Sequence, residues 1–102
     1  MDMKFLMKQA QDMQKKMEAI KGELAQKEIK VTSGGGMVEL VINGQQEIKE
    51  IHIEPDIIDP EDKEMLEDLV LAAVNEGIRQ SKAMVNEEMS KLTGGMNLPG
   101  MF

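Results

Sequence analysis

Three sets of residues in this 102-residue chain are of types that carry chemistry: the run Gly34-Gly35-Gly36, the single histidine His52, and the acids Glu61, Asp62, Glu64, Glu67 and Asp68. A glycine run that cradles phosphate must lead straight into a helix, so that free N–H groups and the positive helix end face the anion. Here the aliphatic, β-branched run 37–42 follows, with no Gly-Lys-Ser/Thr. The spacing predicts a corner that leads into a strand. With one histidine and no cysteine, Ser-His-Asp or Cys-His catalysis lacks its paired groups, and a zinc site lacks ligands. His52 falls mid-strand on the less buried face and reads as a surface residue. The acids lack the Asp-x-Asp-x-Asp-Gly loop of a calcium site and read as a solvated helix start favoured by the dipole. No enzyme, metal, cofactor or small-molecule substrate is expected.

What remains is cationic. The net charge of −7 argues at first against an anionic partner, but it is unevenly spread. Residues 1–30 hold seven lysines against five acids, and residues 31–102 hold five basic against fourteen acidic groups. Lys4, Lys8, Gln11 and Lys15 recur at i, i+4, i+7 and i+11 and share one helix face, with Lys16 beside them. Such a stripe can track phosphates and release their counterions. The plain alternative is that lysines on an outer helix face only keep it soluble. A sparser basic patch, Arg79 and Lys82, lies in the second half of the chain, with Lys91 near its end. Two phenylalanines are the only aromatics, so the stacking platform of single-strand binders is missing.

The elements that must position these lysines follow from periodicity. Met3, Leu6, Ala10, Met13, Met17, Ile20 and Leu24 alternate in steps of 3 and 4, a heptad seam that predicts a helix over 2–25. This seam is also the expected dimer interface, carried by Met3, Leu6, Ala10, Met13, Met17 and Ile20. Strands are expected over 27–33, 37–43 and 45–54. Asn43-Gly44 reads as a two-residue type I′ turn, which would pair Ile42 with Gln45 and Val38 with Lys49 and put Ile48 on the face opposite Ile51 and Ile53. Asp59-Pro60 opens a second helix over 60–92, with an apolar stripe of Leu66, Leu69, Val70, Ala73, Val74, Ile78, Val85 and Met89. Residues 1–93 form one α+β domain, α-β-β-β-α around a three-stranded antiparallel sheet, and 94–102 a flexible tail. The eleven methionines give an adaptable seam.

Length then argues for a partner. A 24-residue helix spans about 36 Å and a thirty-residue one about 45 Å, whereas strands of seven residues span about 23 Å. The helices overhang the sheet, and a second copy is the simplest cover for the overhanging seam, so a homodimer is expected. The longest apolar run, 69–74, falls short of the ~18 residues of a membrane span, and Asp2 and Lys4 within a helical pattern leave no signal peptide. A cytoplasmic location without membrane contact is expected.

The quoted pattern, from "SGGGMVELVINGQQEIKEIHIEP" through "EDKEMLEDLVLAAVNE" to "TGGMNLPGMF", resembles the YbaB/EbfC family of bacterial nucleoid-associated proteins along essentially the whole chain. Gly77, where many members carry Ala, is a departure. The resemblance implies a tweezer-like homodimer with projecting helices. It also implies binding of double-stranded DNA with little sequence preference, and a part in nucleoid organisation or gene regulation. It does not fix phosphate contacts residue by residue, so Lys4, Lys8, Lys15, Lys16, Arg79 and Lys82 stand as contacts on charge and spacing alone. A second reading is a protein-interaction module whose Met-rich helices and tail dock onto replication or recombination proteins.

Overall fold

The computed structural model describes residues 2–92. The chain runs α1 (Met3–Gln26), β1 (Glu28–Ser33), β2 (Val38–Asn43), β3 (Ile48–Ile53) and α2 (Lys63–Leu92), with short 3-10 turns at Gly34–Gly36, Pro55–Ile57 and Pro60–Asp62. The sheet is antiparallel in the order β1-β2-β3, so the α+β architecture is the expected one. The tail over 94–102 lies outside the described residues.

The triglycine is a corner. Gly34, Gly35 and Gly36 all have positive φ, at 61°, 68° and 94°, a run that side-chain-bearing residues disfavour. A Cβ on Gly34 would stand 2.8 Å from Leu69 Cδ2, so the corner is also pressed under α2.

The β2–β3 connection differs from the expected two-residue turn. Asn43 N–H donates to the Glu47 carbonyl at 3.0 Å and Gln46 N–H to the Asn43 carbonyl at 3.1 Å. The loop is therefore Gly44–Gln46, with Gln46 in the left-handed region at φ 62°. This is the three-residue hairpin loop whose last residue is left-handed. The Asn-Gly pair is used otherwise. Gly44 N–H donates to the Leu24 carbonyl at 2.8 Å, and a Cβ on Gly44 would come within 2.7 Å of that carbonyl oxygen. Glycine is needed here for contact with α1, not for the turn. The pairing becomes Val38 with Ile53, Leu40 with Ile51 and Ile42 with Ile48, with an irregularity at Val41/Ile42. Glu50 and Ile48 face those consecutive residues, so Lys49 is the extra residue of a bulge. The bulge puts Ile48 on the same face as Ile51 and Ile53, correcting the expectation that it faces away.

The core lies between the sheet and α2. Val31, Val38, Leu40, Ile42, Ile57 and Ala73 are buried together, with Leu66, Leu69, Val70, Val74 and Ile78 packed around them. Gly77 lets α2 approach β2, since a Cβ there would stand 2.9 Å from Leu40 Cδ2. Asp59 caps the entry to α2 by accepting from Glu61 N–H at 2.9 Å; the first turn is 3-10, so α2 itself begins at Lys63. α2 packs chiefly on β1 and β2. Ile48 and Ile51 of β3 therefore remain exposed although their cross-strand neighbours Ile42 and Leu40 are fully buried.

The molecule is drawn out. Its radius of gyration is 19.1 Å and its longest extent 70 Å, whereas a compact domain of this length has a radius near 13 Å. No helix among the described residues is long and apolar enough to cross a membrane.

Candidate nucleic-acid interface

The lysine stripe belongs to α1, and α1 is fastened at one end only. Its start is capped by Asp2, which accepts from Lys4 N–H at 3.0 Å and so satisfies one of the helix's unpaired donors. Its last turn is held from three sides. Asn43 Nδ2 donates to the Ala25 carbonyl at 3.1 Å, Gly44 N–H donates to Leu24, and Lys27 Nζ pairs with Glu88 of α2 at 3.0 Å. Asn43 is wholly buried and fully used. Its Oδ1 accepts from Gln45 and Glu47 N–H, each at 2.9 Å, and its carbonyl accepts from Ser81 Oγ at 2.7 Å. Asn43 thus joins the end of α1 to the hairpin loop through its side chain, and to α2 through its main-chain carbonyl.

Burial along the α1 seam falls away from this anchor. Leu24 is 2% exposed, Met17 and Ile20 are half-buried, and Met13, Leu6 and Met3 are exposed, Met3 to 69%. Residues 2–16 are exposed on every face, so the first half of α1 projects as an arm. Phe5 and Met7 are also exposed there, beside rather than on the heptad seam, and the periodicity does not single them out.

Lys4, Lys8, Lys15 and Lys16 are all exposed on this arm, and none has an ion-pair partner among the described residues. From Lys4 to Lys15 the helix rises about 16 Å, which matches about five phosphate steps along one DNA strand. Lys16 lies toward the seam, beside Leu6, Ala10 and Met13.

The second patch is placed differently. Arg79 is held by Glu76 in a two-pronged pair, Nε to Oε2 at 3.0 Å and Nη2 to Oε1. That pair, with a hydrogen bond from Gln80, draws the Glu76 carboxyl down to about 2 and raises Arg79. Lys82 stands apart, in the groove between α1 and α2 with Lys21. Lys21 is a cation that the stripe argument passed over, because it lies off the i, i+4 row. Lys27 is raised by its hydrogen bond to Glu88, which is itself lowered by Lys27, so both charges are spent internally.

The acids at the start of α2 lie far from the site that anchors α1. Glu61, Asp62, Glu64, Glu67 and Asp68 are exposed at the start of α2, thirteen or more residues before Ser81, the α2 position tied to Asn43. Thirteen helical residues span about 20 Å, more than twice the Debye length of about 8 Å at physiological salt. Among the described residues, no three acid or imidazole groups are grouped so as to hold a metal ion. His52 is exposed, 3.4 Å from Glu50.

Comparison with known proteins returns one consistent answer. A family model described as the YbaB/EbfC DNA-binding family matches residues 1–96. A nucleoid-associated protein of Clostridium novyi is 51% identical over 102 residues, covering 100% of this chain and 90% of its relative. One from Desulfotalea psychrophila is 54% identical over 101 residues, covering 99% and 95%. A crystal structure of an uncharacterized protein from Helicobacter pylori superposes with a TM-score of 0.75 at 27% identity, covering 94% of this chain and 97% of that one.

Proposed function

Because the chain belongs to the YbaB/EbfC DNA-binding family, we propose that it is a homodimeric nucleoid-associated protein of the cytoplasm that binds double-stranded DNA with little sequence preference. In this role it contributes to nucleoid organisation or gene regulation. The observation that carries the reading is the arm itself, which bears four exposed lysines without ion-pair partners among the described residues. Lys4, Lys8 and Lys15 contact phosphates along one strand, with Lys16 at the edge. Arg79 and Lys82 form a weaker second contact, since the Arg79 charge is shared with Glu76. Phosphate contacts fix position and carry no base information, which accounts for low sequence preference. Local potential, not net charge, sets the contact.

The dimer supplies cover for two open apolar surfaces, the β3 face of Ile48, Ile51 and Ile53 and the outer α1 seam of Met3, Leu6, Ala10 and Met13. Met17 and Ile20, half-buried within the protomer, mark where that seam enters its own fold. With about three phosphates neutralised per subunit, log K falls against log salt with a slope near −5. The test is a gel shift on generic duplex across a salt series, for wild type and for the triple change Lys4→Glu, Lys8→Glu, Lys15→Glu. Retained affinity in the triple variant removes α1 as the contact surface. No binding by wild type at about 50 mM salt, where such contacts are strong, removes the reading.

A second reading rests on Met3, Phe5, Leu6 and Met7, four large apolar side chains exposed at the tip of the arm. On that reading the tip docks onto a replication or recombination protein, and Phe5→Ser, neutral and off the seam, abolishes that capture while leaving DNA affinity unchanged.

A further inference from the structure

A groove of about 530 Å³ opens where α1 meets α2. Met17, Val85 and Met89 supply its apolar wall, and Lys21, Gln46 and Lys82 line its polar side. None of the described residues that line it carries a carboxylate, in a chain with 19 acidic against 12 basic side chains. Lys21 and Lys82 are exposed, and neither has an ion-pair partner among the described residues. An occupant that satisfies both sides of the groove carries negative charge and large apolar side chains together. Phosphates alone would leave the methionine and valine wall uncovered.

The first turns of α2 present that chemistry. Glu64, Asp68 and Leu71 fall at i, i+4 and i+7, with Met65 beside them, on the helix face turned away from Leu66, Leu69, Val70 and Ala73. Leu71 is 59% exposed and Met65 is exposed with it. Glu64 and Asp68 lie between these two apolar side chains around the helix, about 6 Å apart as an i, i+4 pair. They too are exposed, without ion-pair partners among the described residues. We propose that this face of a second copy docks into the groove. Leu71 and Met65 then cover the apolar wall, and Glu64 and Asp68 meet Lys21 and Lys82.

An amphipathic helix seated in an apolar groove gains from its anchors, and the facing charges fix its register. Met17 and Met89 have unbranched side chains that adjust to an irregular occupant. A protomer cannot fill its own groove in this way, because Asp68 and Lys82 lie about 21 Å apart on one continuous helix. The dimer proposed above uses β3 and the outer seam of α1, so both halves of the contact stay open in it. Groove and helix face are different surfaces, so the contact is heterologous and repeats from copy to copy as an open chain. Lys82 is committed to a carboxylate wherever the contact forms, which leaves DNA to the arm.

The contact needs neither DNA nor the two-fold dimer, so its test is independent of both. Sedimentation of the full chain is measured without DNA at about 50 mM salt, where close charge pairs are little screened. So small a contact is weak, so dilute protein keeps its basic unit and the mass should climb beyond it only toward about 1 mM protein. Lys21→Glu with Lys82→Glu, and separately Glu64→Lys with Asp68→Lys, should each lower the association constant about tenfold. All four changes in one chain restore the wild-type net charge and should bring association back to within about threefold. An equal mixture of the two double variants should also assemble, since each supplies the surface that the other has lost. A wild-type mass that stays constant across the range overturns the proposal. A mass that climbs but ignores either charge reversal overturns it as well, and so does a failure of both the quadruple variant and the mixture to assemble.

Discussion

Leu40 and Ile51 stand directly opposite each other in the β2–β3 ladder, on one face of the sheet, yet Leu40 is fully buried and Ile51 is 44% exposed. The difference lies in the placement of α2, which packs chiefly on β1 and β2. An apolar face that continues beyond its cover, on an edge strand with unpaired backbone groups, invites a second copy.

The first prediction concerns that face. Ile51→Lys places a charge where the partner would bury it, while in the isolated protomer the ammonium reaches water. Light scattering should read twice the 11.4 kDa protomer mass for wild type and the protomer mass for Ile51→Lys, with little change in helix content. A parallel change of Leu6 and Met13 to Lys measures the share of the α1 seam. Wild type at the protomer mass would remove the dimer altogether.

The contrast between β3 and the rest shows how far periodicity carries. The heptad seam of α1, the Asp59-Pro60 entry to α2 and the triglycine corner were legible because each is a local rule satisfied by neighbouring residues. The β2–β3 register was not. Asn43-Gly44 has the composition of a tight turn, but Asn43 is engaged by Ala25 and Ser81 and Gly44 by Leu24. Those partners lie 18 to 38 positions away for Asn43, and no local pattern announces them. The lysine stripe was legible as spacing. That the stripe stands on a projecting arm follows from where α1 is fastened, which only the tertiary contacts reveal.

The second prediction tests that fastening. Asn43→Ala leaves the Ala25 carbonyl and the N–H groups of Gln45 and Glu47 without their present partner, and Ser81→Ala removes one hydrogen bond from the same site. Water can reach part of the loop, so the loss should be about 2–3 kcal/mol for Asn43→Ala and about 1 kcal/mol for Ser81→Ala. Urea melts would show both. Because they share one network, the double variant should lose less than the sum. Full additivity would mean that the two groups do not act together.

A third prediction follows from Glu76, whose carboxyl is drawn down to about 2 by its hydrogen bonds from Arg79 and Gln80. A carboxylate with a lowered folded pKa stabilises the fold above its unfolded value near 4.5 and loses that contribution as the pH falls toward 2. The melting temperature of wild type relative to Glu76→Gln should therefore fall across that window and be flat between pH 6 and 8, allowing for the screening of an exposed pair. At neutral pH the same substitution frees the Arg79 charge. DNA affinity should rise and the salt slope should steepen. Unchanged affinity would take Arg79 off the contact surface.

The fourth prediction separates the stripe from general charge. Lys8 sits mid-stripe on the exposed arm, whereas Lys27 is exposed but bound to Glu88. Lys8→Gln in a two-fold dimer removes two phosphate contacts, so the salt slope should shrink by about 2, uniformly across DNA sequences. Lys27→Gln changes net charge by the same amount, but it removes a cation already spent within the fold, and its slope should match wild type. If the two variants weaken binding equally, the protein answers only to its total charge, and the arm has no special part in holding DNA. If Lys8→Gln weakens one sequence far more than another, the lysine is reading bases and the phosphate-tracking account fails.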